Sequence, residues 1–163
     1  MKINIQDMDI HPIEVNEEIS LEFISPLIRE YYPNQASVHV YVEKIKKEFR
    51  VHIDLKTKGH YVCDRCLDEF DVNFSADIEQ QYHQGAGELL DEDIIRIEAD
   101  AVEIDIDPVI SEMMLLNHPQ KMLCREDCKG ICPNCGAHLN HEACRCGEKP
   151  IDPRWEELRK LLK

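Results

Sequence analysis

The chain has 163 residues, enough for one domain with one ordinary core plus an appendage. Its 33 acidic against 19 basic residues leave a formal charge of −14, which repels nucleic acid over about 8 Å at physiological salt without preventing a local basic contact. No stretch approaches the roughly twenty apolar residues of a membrane span, and the N-terminus has no long apolar signal region, so the composition implies a cytoplasmic protein whose thiols bind metal or do redox work rather than form structural disulfides.

Residues 36–83 read as antiparallel sheet. Val38, Val40 and Val42 alternate with His39, Tyr41 and Glu43, and Val51, Ile53 and Leu55 alternate with His52, Asp54 and Lys56. Phe70, Val72, Phe74, Ala76 and Ile78 alternate with polar residues in the same way, which places one face in a core and the other in water. The connections are too short for crossover helices, so a meander is expected. Residues 83–93, HQGAGELLDED, predict an exposed acidic loop, and Ile104 and Ile106 a further short strand. Asp107-Pro108 predicts a helix start with Asp107 as N-cap, an apolar face of Ile110, Met113 and Met114, and an end at His118-Pro119. Asp152-Pro153 repeats that start for a closing amphipathic helix carrying Trp155, Leu158 and Leu162. The fold class is thus α+β: an acidic, mainly antiparallel β domain over 1–118 with one short helix, a zinc-ribbon segment over 119–150, and a C-terminal helix over 151–163.

Six of the eight cysteines fall in 124–147, CREDCKGICPNCGAHLNHEACRCG, and two in the upstream CDRC. Zinc takes four ligands at tetrahedral corners, and a Cys-x-x-Cys turn supplies two of them from one bend. Cys132-Pro-Asn-Cys135-Gly136 has that form, with glycine free to take positive φ, and Cys144-Arg-Cys146-Gly147 offers a second pair. Cys132, Cys135, Cys144 and Cys146 make a complete zinc site. Cys63 and Cys66 cannot saturate a metal alone. Joining them to Cys124 and Cys128 gives a second site and uses every thiol, whereas a single site with four free thiols is the rival. Cys128 and Cys132 are close enough to exchange roles, and His138 or His141 could replace a cysteine. A redox reading of Cys63-x-x-Cys66 lacks the helix N-terminus that lowers such a thiol's pKa.

From Pro119 onward nine basic and seven acidic residues give net +2, which leaves −16 on the preceding body. Lys121, Arg125, Lys129, Arg145 and Lys149 interleave with the thiols, either screening them or contacting RNA phosphates. The acidity of the body serves solubility or an affinity for basic partners such as ribosomal proteins. With no phosphate loop and no separable carboxylate pair, no enzyme is expected.

CDRCLDEF at 63–70, IDIDPVISEMMLLNHP at 104–119, CREDCKGICPNCGAHLN at 124–140 and DPRWEELRKLL at 152–162, in that order, resemble the YceD family of bacterial large ribosomal RNA subunit accumulation proteins. The resemblance covers about residues 36–163. It implies a non-enzymatic factor for accumulation of large-subunit ribosomal RNA and assembly of that subunit, with that RNA, a basic large-subunit ribosomal protein, or both as partners. Some relatives lack much of the C-terminal cysteine set, which implies that zinc, one or two ions per chain, is structural here. The alternatives are a zinc-ribbon RNA-binding module without a protein client and a zinc-dependent redox sensor or chaperone.

Overall fold

The computed structural model describes residues 1–6, 8, 11–87 and 93–147. The helix expected over 152–162 lies outside them, as do residues 88–92 of the acidic loop. The described residues form two compact units, one of Met1–Tyr61 with Glu69–Lys121 and the other of Val62–Asp68 with the chain from Met122 on. Among the described residues no helix is long and apolar enough to cross a membrane.

The first unit is built on strands β1 (Lys2–Asn4), β2 (Ile13–Ile19), β3 (Ala36–Ile45), β4 (Glu48–Val62), β5 (Glu69–Gln84), β6 (Ile95–Ile97) and β7 (Glu103–Asp105), followed by helix α1 (Asp107–Asn117). Five strands form one sheet in the order β2-β3-β4-β5-β6, and β1 pairs with β7 in a second, two-stranded sheet. β2, β3 and β4 run antiparallel, with Val40 level with Ile53 and Val15 level with Val40. The expected alternation is visible in the packing: Val38, Val40, Val42, Val51, Ile53 and Leu55 are all buried. Their β-branched or aliphatic side chains suit a pleated surface with one dry face. On the other face His39, Tyr41, His52 and Asp54 meet water and one another, and His39 bridges Glu14 at 2.9 Å and Asp54 at 3.4 Å.

Three features differ from the sequence reading. β2 extends the sheet N-terminally, ahead of the range expected. β6 pairs with β5 in parallel through Tyr82–Gln84 alone, so the sheet is not a pure meander. A connection this short brings the chain back parallel only at a strand's very end, and the Gly85 N–H, at φ 84°, bonds Ile97 O at 2.9 Å to hold the return. Along β5 the apolar face is dry only at Phe74, Ala76 and Tyr82, while Val72 is 43% exposed. β4 runs beyond Lys56, the last residue level with β3, so this end of the β4–β5 pair has no third strand beneath it.

Helix α1 begins and ends where Asp107-Pro108 and His118-Pro119 place it, and buries Ile110, Met113 and Met114 together with Val109. It packs against β5. Asp107 is not an N-cap: the cap position is Ile106 and no side chain caps the helix. The Asp107 carboxylate is engaged by the Met1 ammonium, and the Asp107 N–H is satisfied by Asp105 Oδ1 at 3.1 Å. The residue before Pro119, His118, leaves the helical region at ψ 128°.

His118 joins an aromatic cluster with Tyr31, Tyr32 and Tyr61, which packs on Phe70 and Phe74. The Tyr61 hydroxyl donates to Tyr32 Oη at 2.9 Å, and the Tyr32 hydroxyl donates to His118 Nδ1 at 3.1 Å. Burial holds the His118 pKa below its ordinary value, whereas hydrogen bonds to Glu14 and then Asp54 hold that of His39 above it. The two histidines therefore act on stability in opposite directions. His118 stabilises the fold above its unfolded pKa, and that contribution is lost as pH falls through its lowered folded value. His39 stabilises the fold below its unfolded pKa, and that contribution is lost as pH rises through its raised folded value. An NMR titration of the imidazole resonances should place the His118 midpoint below about 6.5 and the His39 midpoint above it. Glu14→Gln should lower the His39 midpoint alone.

Candidate metal centre

The second unit is organised by two turns of the same construction. In Cys63-Asp-Arg-Cys66-Leu67 the Leu67 N–H donates to Cys63 O at 2.9 Å, and the Cys63 N–H donates to Asp68 O at 2.8 Å. In Cys132-Pro-Asn-Cys135-Gly136 the Gly136 N–H donates to Cys132 O at 3.0 Å, and the Cys132 N–H donates to Ala137 O at 2.8 Å. The residue after the second cysteine has positive φ in both, 70° at Gly136 and 63° at Leu67. Glycine takes that conformation freely; leucine bears a steric cost of about 1–2 kcal/mol. Leu67 thus marks a turn imposed by what its cysteines must do.

The turns bring the eight thiols into two quartets. Cys63, Cys66, Cys124 and Cys128 form the first, and Cys132, Cys135, Cys144 and Cys146 the second, with the sulfurs of each quartet all within 4.8 Å of one another. Sγ–Sγ separations are 3.8 Å for Cys63–Cys128 and 3.6 Å for Cys66–Cys124 in the first. They are 3.5 Å for Cys132–Cys144, 3.8 Å for Cys132–Cys146 and 3.9 Å for Cys135–Cys144 in the second. A tetrahedron with Zn–S bonds of about 2.3 Å has edges of about 3.8 Å. Both quartets have the donor set and dimensions of a four-thiolate metal site. They match the grouping in which Cys128 and Cys132 belong to different sets. Cys63, Cys66 and Cys128 are buried, whereas Cys135 and Cys144 are exposed, so the first quartet is the better shielded.

The backbone supports thiolates at particular positions. Burial disfavours the Cys63 thiolate, but N–H groups of Cys124, Cys66 and Arg65 directed at the sulfur outweigh it and bring the thiol down to about 6. The N–H groups of Ala137 and Arg145 bring Cys135 to about 6. Those of Cys135 and Asn134 lower Cys132, repeating around the second turn the pattern of the first. Burial raises Cys66, and hydrogen bonding to Cys135 pushes Cys146 up to about 12. Each quartet thus holds ready-made anionic positions beside thiols that give up their protons only to a cation.

Residues not singled out in the sequence hold these turns in place. The Asp64 N–H donates to Met122 O at 2.8 Å, and Asp64 Oδ2 accepts from the Met122 N–H at 2.7 Å. Arg65 donates from Nη1 to Cys128 O at 2.8 Å, and its carbonyl accepts from the Ile131 N–H at 3.0 Å. The variable positions of CDRC therefore bind the segment that carries Cys124 and Cys128. A charged pair inside a Cys-x-x-Cys turn was the available signal. Gly130, at φ 73°, lies so close to Arg65 that a Cβ would sit 2.8 Å from its carbonyl oxygen.

His138 and Asn140 stand in the loop between the second quartet's cysteine pairs. His138 Nε2 lies 3.0 Å from Asp68 Oδ2, which also accepts from the Cys66 thiol at 3.3 Å. Cys66, Asp68 and His138 form a third group of convergent donors, in which Cys66 already belongs to the first quartet. Asn140 Nδ2 donates to Cys128 Sγ at 3.3 Å. His141 packs against the His138 ring with centroids 4.4 Å apart and joins none of the three groups. Of the candidate RNA-contacting cations, Arg145 is held by Glu142 at 2.7 Å and Arg125 lies 3.5 Å from Asp127. The Lys129 N–H is bound by Asn140 Oδ1 at 2.8 Å. Lys121 belongs to the first unit and Lys149 lies outside the described residues.

The family model described as large ribosomal RNA subunit accumulation protein YceD matches residues 51–162. The chain is 25% identical over 160 residues to the chloroplastic large ribosomal RNA subunit accumulation protein YCED homolog 1 of Arabidopsis thaliana, covering 80% of this chain and 50% of the relative. It is 41% identical over 59 residues to uncharacterised proteins of Mycobacterium tuberculosis and Mycobacterium bovis, covering 36% of this chain and 28% of each relative. The chain thus spans half the length of the plant relative and less of the mycobacterial ones. No solved structure matches it.

The turn geometry ranks three substitutions. Gly130→Ala meets both a positive φ and the Arg65 carbonyl, and should cost the second unit at least about 2 kcal/mol. Gly136→Ala meets open space and should cost only the backbone term, about 1 kcal/mol. Leu67→Gly should be neutral or stabilising by up to about 1 kcal/mol. Protease half-lives of the segment from residue 122 on read this order, and equal losses at Gly130 and Gly136 would refute the close approach to Arg65.

Proposed function

Since the chain belongs to the YceD family, we propose that it is a zinc-stabilised, non-enzymatic factor that promotes accumulation of large-subunit ribosomal RNA and assembly of the large ribosomal subunit, acting in the cytoplasm. The observation that carries the zinc part of this reading is the make-up of the second unit. Its buried apolar side chains, among the described residues, are Cys63, Cys66, Cys128, Cys132 and Ala137. Four thiols and a methyl group are no hydrophobic core. Zinc at Cys63, Cys66, Cys124 and Cys128, and at Cys132, Cys135, Cys144 and Cys146, supplies the missing cohesion, at about 10–16 kcal/mol per structural ion. With all eight thiolates spent as ligands, none is left as a nucleophile.

The body supplies the client surface. Its net charge of −16 over residues 1–118 suits a basic large-subunit ribosomal protein, which the acidic face holds while the cysteine-rich segment meets RNA. Protein-first binding is favoured over a pure RNA module because Arg145 and Arg125 already face carboxylates.

Native mass spectrometry should find two zinc ions per chain, and Cys135→Ser should retain one and expose residues 132–147 to protease while the sheet stays protected. A single ion, or unchanged protease resistance, would count against the paired sites. Affinity capture of the tagged protein at physiological salt should recover large-subunit RNA and proteins, with the proteins persisting after RNase. Loss of the proteins on RNase treatment would move the contact to RNA, and an eluate free of both would overturn the assembly role.

A further inference from the structure

The second quartet's loop ends on the first quartet. Residues 136–143 link the Cys132–Cys135 turn to Cys144, so a metal in the second quartet fixes both ends of that loop. From within it, Asn140 reaches Cys128 Sγ at 3.3 Å while its Oδ1 holds the Lys129 N–H at 2.8 Å. The Leu139 N–H donates to Gly130 O at 2.9 Å, and His138 pairs with Ile131 in an isolated bridge, so the loop is bound along the strip that joins Cys128 to Cys132. His138 Nε2 reaches Asp68, the carboxylate on Cys66. One of the first quartet's four sulfurs, that of Cys128, is thus supported directly by a residue of the loop whose two ends a metal in the second quartet fixes.

Resting on the reading of both quartets as metal sites, we propose that they form one coupled binuclear unit in which Asn140 is a positioning residue for the first quartet, so that a metal bound by Cys132, Cys135, Cys144 and Cys146 raises the metal affinity of Cys63, Cys66, Cys124 and Cys128. Hydrogen bonds to a metal-bound thiolate, and partners that orient a ligand, typically tune metal affinity by 10–100-fold. Coupling of binding free energies is reciprocal, so loading the first quartet strengthens the second by the same factor. Cys135 and Cys144 are exposed while Cys63, Cys66 and Cys128 are buried. A chelator therefore reaches the second quartet first, and removal of that ion loosens the shielded one. The unit releases its metals in sequence, the outer ion governing the inner.

Zinc competition with a chromophoric chelator on the full chain tests this, with native mass spectrometry counting ions and cysteine alkylation identifying the emptied quartet. Asn140→Asp keeps the acceptor for the Lys129 N–H but replaces the donor to Cys128 Sγ with an oxygen, and should weaken the first quartet about tenfold or more. Cys135→Ser, which empties the second quartet, should weaken the first by a similar factor. Combined, the two changes should cost little more than either alone, since both remove one support. Cobalt difference spectra against Cys66→Ser protein isolate the first quartet, and its thiolate-to-cobalt band should move to lower energy in Asn140→Asp, because a lost hydrogen bond raises the sulfur lone pair. Should Asn140→Asp prevent folding of the loop, Asn140→Ala, which removes the donor to Cys128 Sγ without adding a charge, runs the same cycle. First-quartet affinity within twofold of the unmodified protein in Cys135→Ser, or penalties that simply multiply, would overturn the coupling and leave two independent zinc sites. A protein that binds no zinc at all would overturn the metal reading beneath it.

Discussion

Sulfurs of a quartet lie 3.5–3.9 Å apart, a separation at which thiolates repel one another. At an effective dielectric of about 20, two unit charges at 4 Å cost about 4 kcal/mol, and each quartet contains six such pairs when fully ionised. The second unit is arranged around that repulsion. It has two turns with backbone N–H groups directed at sulfur, an amide donating to Cys128 Sγ, and almost no buried hydrocarbon. A dication bound by the four sulfurs would turn the repulsion into the strongest cohesive interaction available to a segment whose regular structure, among the described residues after Met122, is one isolated bridge between Ile131 and His138. Such cohesion would offset the turn strain at Leu67 and the close approach at Gly130.

The first unit solves the same problem in the ordinary way. Valines and isoleucines of β3 and β4 bury one face of the sheet, and Val109, Ile110, Met113 and Met114 of α1 are buried as well. Its cohesion is therefore hydrocarbon packing rather than thiol clustering. Carboxylates accumulate on the wet face, where His39, His60 and Arg50 offset a few of them. One unit is thus held by a hydrocarbon core and carries an acidic surface, and the other is built around two thiol quartets.

The sheet strands and the thiol grouping were legible in the sequence for a shared reason: each rests on a short-range period. Alternation of valine with polar residues fixes which face of β3 and β4 is dry. A Cys-x-x-Cys spacing fixes two tetrahedral corners, and counting thiols in fours leaves one economical partition. What was not legible depends on partners distant in sequence. Ile95–Ile97 carries no alternation long enough to announce a strand, and its parallel pairing with β5 follows from the turn at Gly85. Asp107 has the residue type of a helix cap, but the Met1 ammonium, at the other end of the unit's sequence, engages its carboxylate instead. Asp64, Arg65, Asp68 and Asn140 looked like ordinary polar residues near cysteines. Their roles emerge only when residues 63–68 and 122–140 are seen side by side, which no local pattern conveys.

The order in which the chain is made gives the interruption of the second unit a temporal meaning. Cys63 and Cys66 leave the ribosome before β5, α1 and everything between have been synthesised, and Cys124 arrives 58 residues after Cys66. At elongation rates of about 5–20 residues per second, the first turn waits some seconds with two unsatisfied thiols. A metal arriving early finds only half a cage, so the sheet has its strands in hand before the cysteine-rich unit closes. Closure then ties a loop of more than fifty residues, a constraint that removes more freedom from an unfolded chain the longer the loop is. A metal bound there would therefore be a late, reversible crosslink between the Cys63–Cys66 turn and the segment carrying Cys124 and Cys128.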